Sequence, residues 1–353
     1  QDYSKEEVLV KMGLAINTRG PDSSGVWFSE EDGIGLSQVR LAIMDLSPSG
    51  HQPMVSSCEN FIISFNGEIY NHLSIRKEIE QISPIKWNSH SDTETLLVAI
   101  RTFGLVDTLK KAEGMFAFAL YDKTQERLHL VRDRLGEKPL YFGWQQGCFM
   151  FGSQLDALRQ HPKFQGEINR DSITLLLRHN YIPAPYSIYN GIKKLFPGTY
   201  LTFDNKIKEY YIEQYWNPKS EVFNQNKSSD TEADVIRSLD ITLKQAIKDQ
   251  MLSDVPLGAF LSGGIDSSTI VALMQDQSDV PVKTFSIGFY EEGYNEAEHA
   301  KAVAKHLGTE HTEHYVTAED AIKVIPKLAS IYDEPFSDSS QIPTYLVSKM
   351  ANV

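Results

Sequence analysis

The chain has 353 residues, 41% hydrophobic and 23% charged, the balance of an ordinary globular protein with apolar material for two domains. With 34 basic against 47 acidic residues its formal charge is −13, and an acidic surface argues against nucleic acid as a partner. No apolar run is long enough to span a membrane, and the opening residues QDYSKEEVLVKMG lack the apolar stretch of a signal peptide. Only two cysteines occur, Cys58 and Cys148; they suggest neither a metal site nor a disulfide framework and fit a reducing cytoplasm.

Up to residue 160 the pattern predicts short strands broken by turns. NFIISFNGEIYN (60–71), GMFAFALYD (114–122), RLHLVRDRLGEKPLYFGW (127–144) and GCFMFGSQLDAL (147–158) are rich in aromatic and β-branched residues. Helical segments intervene over 72–82 and 92–103, which together indicate an α+β domain with antiparallel sheets. YIPAPYSIYNGIKKLFPGTY (181–200) reads as proline-rich and irregular, and NPKSEVFNQNKSSD (217–230) as a linker or exposed loop. The boundary is placed near Tyr215, giving domains over 1–214 and 215–353.

From residue 231 the pattern changes. A helix beginning at the cap Thr231 carries Val235, Leu239, Thr242 and Ala246 on one face. A strand (255–261), a glycine turn, a helix (266–276), a strand (282–289), a helix (295–308), a strand (310–316) and two further helices follow. Such alternation indicates a doubly wound parallel sheet.

The turn within FLSGGIDSSTIVALM (260–274) leaves a strand and enters a helix, where backbone N–H groups and the helix dipole favour an anion. Gly263 and Gly264 permit close approach of the backbone, and Ser262, Ser267 and Ser268 add hydroxyls. Asp266 suits such a site only if it holds a divalent cation bridging to phosphate. The lysine that P-loops use in γ-phosphoryl transfer is absent from this turn, so the turn suits a whole pyrophosphate; a glycine turn without a ligand is the plainer alternative.

LSGGIDSS resembles the pyrophosphate loop of the N-type ATP pyrophosphatases. From RGPDSSG (19–25) to DEPFSDSSQIPTYLVSKMA (333–351) the chain resembles the glutamine-hydrolysing asparagine synthetases. The resemblance implies a glutaminase domain with an N-terminal-nucleophile αββα sandwich, followed by an α/β ATP pyrophosphatase domain. It also implies ATP, cleaved between its α- and β-phosphates, Mg²⁺ held by Asp266, and glutamine as nitrogen donor. RLAIMDLS (40–47), FNGEIYNH (65–72) and SDTE (91–94) match the glutamine-binding segments. On this reading Arg40, with Leu41 and Ile43 beside it, binds the α-carboxylate. Glu68 and Asp92 hold the α-ammonium, and Asn66 with the Gly67 N–H forms an oxyanion hole. Taken singly, Arg40 could be an ion-pair arginine, Asn66-Gly67-Glu68 a simple turn and Asp92 a helix cap.

In the second domain the resemblance sets Phe260, Leu261 and Ile287 beside the adenine and its phosphates. Asp333, Glu334, Asp338 and Ser339 would line the acceptor pocket, although a capping segment would explain several of them equally well. His299, His306, His311 and His314 lack the spacing of a metal site. Three departures from the family pattern stand out. The family's nucleophile, a cysteine at the mature N-terminus, is not in this chain, which opens at Gln1; a first segment carrying it is expected to precede. SQVRLAI and NTRGPD each replace a more usual histidine. A further ATP-binding loop is expected beyond SKMA.

The expected reaction forms asparagine from aspartate through an acyl-adenylate, with ammonia passing through the interior from the first domain. Amidation of another carboxylate, such as a sugar acid of surface polysaccharide, is one alternative. A non-catalytic nucleotide-binding homologue is another. A homodimer is an expectation from the family alone.

Overall fold

The computed structural model describes residues 3–223, 231–290 and 295–351. The chain forms two compact units, Gln1–Asn226 and Lys227–Val353. Tyr215, at the expected boundary, is buried in the core of the first unit. Residues 224–230, half of the expected linker, lie outside the described residues.

The first unit begins with α1 (Lys5–Leu14), β1 (Ser23–Ser29), β2 (Ile34–Arg40), β3 (Met54–Val55) and β4 (Phe61–Ile69). Next come α2 (His72–Ile82), α3 (Asp92–Phe103), α4 (Leu105–Lys111), β5 (Gly114–Asp122) and β6 (Arg127–Arg132). The strands β7 (Tyr141–Gln145) and β8 (Cys148–Gly152) precede α5 (Leu155–Arg159) and α6 (Arg170–His179). The unit closes with β9 (Ile192–Lys194), β10 (Thr199–Asp204), β11 (Glu209–Gln214) and α7 (Pro218–Phe223).

Alternation along β4 and β5 builds the layers. Ile63, Phe65, Phe116 and Phe118 face Ile75, Ile79, Leu96 and Leu97 of α2 and α3. On the opposite face Ile62, Ala117, Ala119 and Tyr121 meet Leu36 of β2 and Phe142 of β7. The outer side of that second layer, Tyr141 and Met150, packs on Leu155 and Leu158 of α5. The order is therefore helix, sheet, sheet, helix, as the αββα expectation requires. The central sheet runs β11-β10-β6-β5-β4-β3, beside the pair β1-β2 and the sheet β8-β7-β9, with every pairing antiparallel. Each fully buried Ile or Leu contributes about 1.5–3 kcal/mol to this core.

The expected strand over 127–144 is two strands. Asp133 breaks it: its fully buried carboxylate folds the chain back, accepting from the backbone N–H of Leu135, Gly136, Glu137 and Lys138 at 2.6–3.0 Å. The stretch 181–200, read as irregular, contains β9 and the start of β10.

The second unit comprises α8 (Glu232–Gln250), β12 (Gly258–Phe260), α9 (Ile265–Asp276), β13 (Lys283–Phe289) and α10 (Ala297–Leu307). It continues with β14 (Glu310–Val316), α11 (Ala318–Val324), α12 (Leu328–Ile331) and α13 (Gln341–Ala351), so three helices follow β14 where two are expected. β12, β13 and β14 pair in parallel, and both α10 and α13 pack on β13. Leu261, Val271, Ala300 and Ala304 form its core. Thr231 and Asp234 close a capping box at the start of α8. The face that carries Val235 and Leu239 is open here, the two being 53% and 56% exposed. No helix among the described residues is long and apolar enough to cross a membrane.

Candidate functional sites

A cavity of about 740 Å³ opens in the first unit. Arg40, Leu41, Ile43, Asn66, Gly67, Glu68 and Asp92 all line it. Asn66 and Glu68 lie on the even-numbered face of β4, the side turned to the second sheet. Gly67 is the only residue the chain could place here: φ is +157°, and a Cβ would stand 2.1 Å from the Met115 carbonyl oxygen. The Asn66 Nδ2 donates to Ser153 Oγ at 3.3 Å.

Asp92 reaches the cavity because it does not cap its helix. Ser91 caps α3, its hydroxyl accepting from the Glu94 N–H at 3.2 Å. Asp92 is thereby free to accept from the Ile69 N–H at 2.9 Å, linking α3 to the end of β4. The capping alternative for Asp92 is thus not realised. Burial pushes its carboxyl up to about 6, against the lowering by the Ile69 and Thr93 N–H groups. Glu68, half-buried, is also raised by desolvation, opposed by the charge of Lys138.

Arg40 ends β2 and donates through Nη2 to the carbonyl oxygens of Met44 and Asp45, at 3.1 and 2.6 Å. It thereby shapes the 41–45 loop. Gly50 makes room for it, since a Cβ there would lie 2.1 Å from Nη2. Sequence reading misses Gln52, which is buried and bridges β4 to α3 through Phe65 N (2.7 Å) and Thr93 Oγ1 (3.4 Å). It also misses Lys138, which lines the same cavity. Neither belongs to a segment whose pattern marks a ligand.

In the second unit the turn after β12 is closed by its own hydroxyls. Ser262 and Ser267 share a hydrogen bond of 2.9 Å, and Ser267 Oγ also accepts from Ser262 N at 3.2 Å. Gly264 N donates to Ser262 Oγ at 3.3 Å. Gly263 has a φ of +79°, and a Cβ would lie 2.7 Å from Ala300 N of α10. Ser286 Oγ donates to the Leu261 carbonyl and holds the strand end. Of the three serines, Ser268 alone has a buried hydroxyl oxygen without a hydrogen-bond partner among the described residues. Gly264 is the cap residue of α9 and supplies no side chain to it, and exposed Asp266 stands in the first turn. An unpartnered hydroxyl and a free carboxylate beside a helix N-terminus fit a phosphate group carrying a divalent cation.

Phe260 is 51% exposed at the end of β12 and pairs in register with Phe285, two residues before Ile287. Asp333, Glu334, Asp338 and Ser339 fall in the segment between α12 and α13. Asp338 accepts from Ser340 N (2.7 Å) and Ser340 Oγ (2.6 Å), a capping arrangement just before α13. No group of three or more His, Cys, Asp or Glu side chains among the described residues could hold a metal alone.

These two sites belong to a known pair of domains. Residues 1–216 match the glutamine amidotransferase domain family, and residues 238–353 match the asparagine synthase family. The chain is similar to a putative glutamine-hydrolysing asparagine synthetase 2 of Methanocaldococcus jannaschii. They are 38% identical over 376 residues, covering 99% of this chain and 70% of that protein. It is also similar to glutamine-hydrolysing asparagine synthetase 1 of Bacillus subtilis, 33% identical across 99% of this chain and 54% of that protein. The chain belongs to the glutamine-hydrolysing asparagine synthetase family, and it spans between about half and 70% of the length of these relatives.

Proposed function

We propose that this chain carries the glutamine-hydrolysing site and part of the ATP-cleaving site of an enzyme that makes asparagine from aspartate. The observation that carries the reading is the convergence of Arg40, Asn66, Gly67, Glu68 and Asp92 on one cavity, in a chain that also bears the SGGIDSS turn. The cavity offers a cation for the α-carboxylate of glutamine, two carboxylates for its α-ammonium, and amide donors for the oxyanion that develops at its side-chain carbonyl. Glutamine and water yield glutamate and ammonia there.

In the second unit a carboxylate oxygen of aspartate displaces pyrophosphate from the α-phosphorus of ATP. The acyl-adenylate formed is attacked by ammonia; the C–O bond breaks, AMP leaves and the amine sheds its extra proton. The backbone of Gly263 and Gly264 with Ser262, Ser267 and Ser268 would bind the leaving pyrophosphate, and Phe260, Leu261 and Ile287 would flank the nucleotide. Asp266 would hold Mg²⁺ against the phosphates, where the ion neutralises charge on the leaving group. Asp333, Glu334, Asp338 and Ser339 are assigned to the acceptor side. The reading carries with it a cytoplasmic location, small-molecule partners without nucleic acid or membrane, and a homodimer.

The test is pyrophosphate release by the full-length gene product given ATP, Mg²⁺ and ammonium, with and without aspartate. Ammonium bypasses the glutaminase, so the second unit is read alone. Aspartate-dependent release supports the reading. Release only with another carboxylate would replace the acceptor, and no release with any would reduce the turn to a binding site.

A further inference from the structure

Asp45 is 1% exposed and follows Met44, the last residue of its loop to line the cavity. Its φ is +55°, a left-handed backbone that aspartate tolerates better than most side chains. Its carbonyl oxygen accepts from Arg40 Nη2 at 2.6 Å. The carboxylate holds its own loop through Oδ1, which accepts from Ser47 N and Ser47 Oγ at 3.1 and 2.5 Å. Through Oδ2 it accepts from the His90 N–H at 3.2 Å, with the ring Nδ1 of His90 3.7 Å away. His90 lies two residues before Asp92. Arg76 fixes the same segment, donating to the carbonyl oxygens of Ser89 and Ser91 at 3.0 and 2.8 Å. One buried aspartate thus ties the loop that Arg40 shapes to the segment that carries Asp92.

We propose that Asp45 is a positioning residue that sets the separation of Arg40 and Asp92, and so selects ligands with a carboxylate and an ammonium on one carbon. The inference rests on the glutamine reading of the cavity, in which Arg40 takes the α-carboxylate and Asp92 the α-ammonium. Two charged groups on one carbon stand at a fixed distance. A receptor gains from both only when its own pair is held at the matching distance beforehand. Arg40 ends β2 and Asp92 begins α3, and Asp45 bonds to the segments of both. A ligand with only one of the two charges does not sense the separation, so it binds whether or not the tie is present. Selection of an α-amino acid then depends on a residue that acts through its neighbours.

The experiment is titration of the protein with L-glutamine and with its deamino analogue, which keeps the carboxylate and the side-chain amide but has no ammonium. Calorimetry reads the first and ligand-observed NMR the second. Asp45→Gly accommodates the left-handed backbone and keeps the carbonyl that Arg40 uses, while removing the carboxylate. It should weaken L-glutamine about tenfold and leave the deamino analogue within about twofold. Asp45→Asn, which keeps an acceptor oxygen, should stay within about threefold for both. His90→Pro deletes the N–H at the other end of the tie. It should show the same selective loss, a check that does not depend on the folding of Asp45→Gly. If both variants bind L-glutamine as the unaltered protein does, the inference is overturned and the site reading stands. An equal fall for the two ligands also overturns it, since that marks a cavity that has lost its shape. An unaltered protein that binds neither ligand overturns the glutamine reading and this inference with it.

Discussion

The cavity of the first unit and the turn of the second, the sites proposed for glutamine and for pyrophosphate, are built from opposite materials. The cavity gathers side chains from β2, β4 and α3, set between two sheets, and buries Asp92 to 5% exposure. The turn is a run of neighbouring residues, largely exposed, whose donors are backbone amides and short hydroxyls. A site assembled from distant elements shares its residues with the core. A site made by one local turn does not. Changes in the cavity should therefore disturb stability and binding together, whereas changes in the turn should disturb chemistry and spare the fold.

The sharpest break of that comparison is at Asp266, exposed and outside any core cluster. In the full-length gene product, Asp266→Asn should lower pyrophosphate release by roughly a thousandfold, the several kcal/mol that a metal supplies at a leaving group. Glutaminase activity and melting temperature should hardly move. Release that survives would remove Asp266 from the phosphate site. Gly67→Ala is its counterpart in the cavity. The new Cβ meets the Met115 carbonyl oxygen at 2.1 Å, and backbone in the central sheet cannot step aside. Urea unfolding should show a loss on the order of 3 kcal/mol, together with loss of glutamine binding. A stable, glutamine-binding Gly67→Ala protein would mean that the oxyanion side of the cavity is more plastic than this geometry allows.

The same contrast governs what can be read from sequence. Helices 72–82 and 92–103 and strands 114–122 and 310–316 stand in the structure at the expected bounds, because each combines a clear period with turn residues at its ends. The SGGIDSS turn is legible for a similar reason: its glycines, hydroxyls and the start of α9 are consecutive in the chain. The cavity is only partly so. Arg40, Asn66 and Asp92 are visible through their family segments, but Gln52 and Lys138 gain their places from tertiary contacts, and no spacing announces these. Lys138 is hidden further by the strand-like stretch 127–144, which reads as one segment until Asp133 turns it. The hairpin of β1 and β2 also goes unread, although Asp32-Gly33 lies between its strands. On α8 the period is right and the apolar face stands open, since a helical stripe shows which side is apolar and not whether anything covers it.

Asp92 offers a smaller effect with a definite sign. Its folded carboxyl titrates near 6, above the ordinary value of about 3.9 for an unfolded aspartate. The folded state therefore binds the extra proton between these limits. The favourable contribution is complete below about pH 4 and is lost as pH rises through about 6. Asp92→Asn removes the charge and can still accept from the Ile69 N–H. At pH 8 it should be more stable than the unaltered protein by about 2–3 kcal/mol, with the gain vanishing near pH 4, while glutamine binding is lost. Chemical denaturation at the two pH values reads this directly. An Asp92→Asn protein that is less stable at pH 8 would mean that the carboxylate repays its burial within the fold.

The smallest expected effect lies at Ser268, and its sign is informative. A buried hydroxyl without a partner costs about 1–3 kcal/mol of desolvation in the folded protein, discounted here because Ser268 is only partly buried as a residue. Ser268→Ala deletes that unmet group and little else. Without nucleotide the melting temperature should hold or rise by a few degrees. With ATP and Mg²⁺ the KM for ATP should rise about tenfold, the worth of one hydrogen bond to a charged oxygen. The two readouts move apart only if the hydroxyl is kept for a ligand. A fall in melting temperature with no change in KM would show that Ser268 serves the turn itself. The contrast between a fold-bound cavity and a free-standing turn would then fail at this residue.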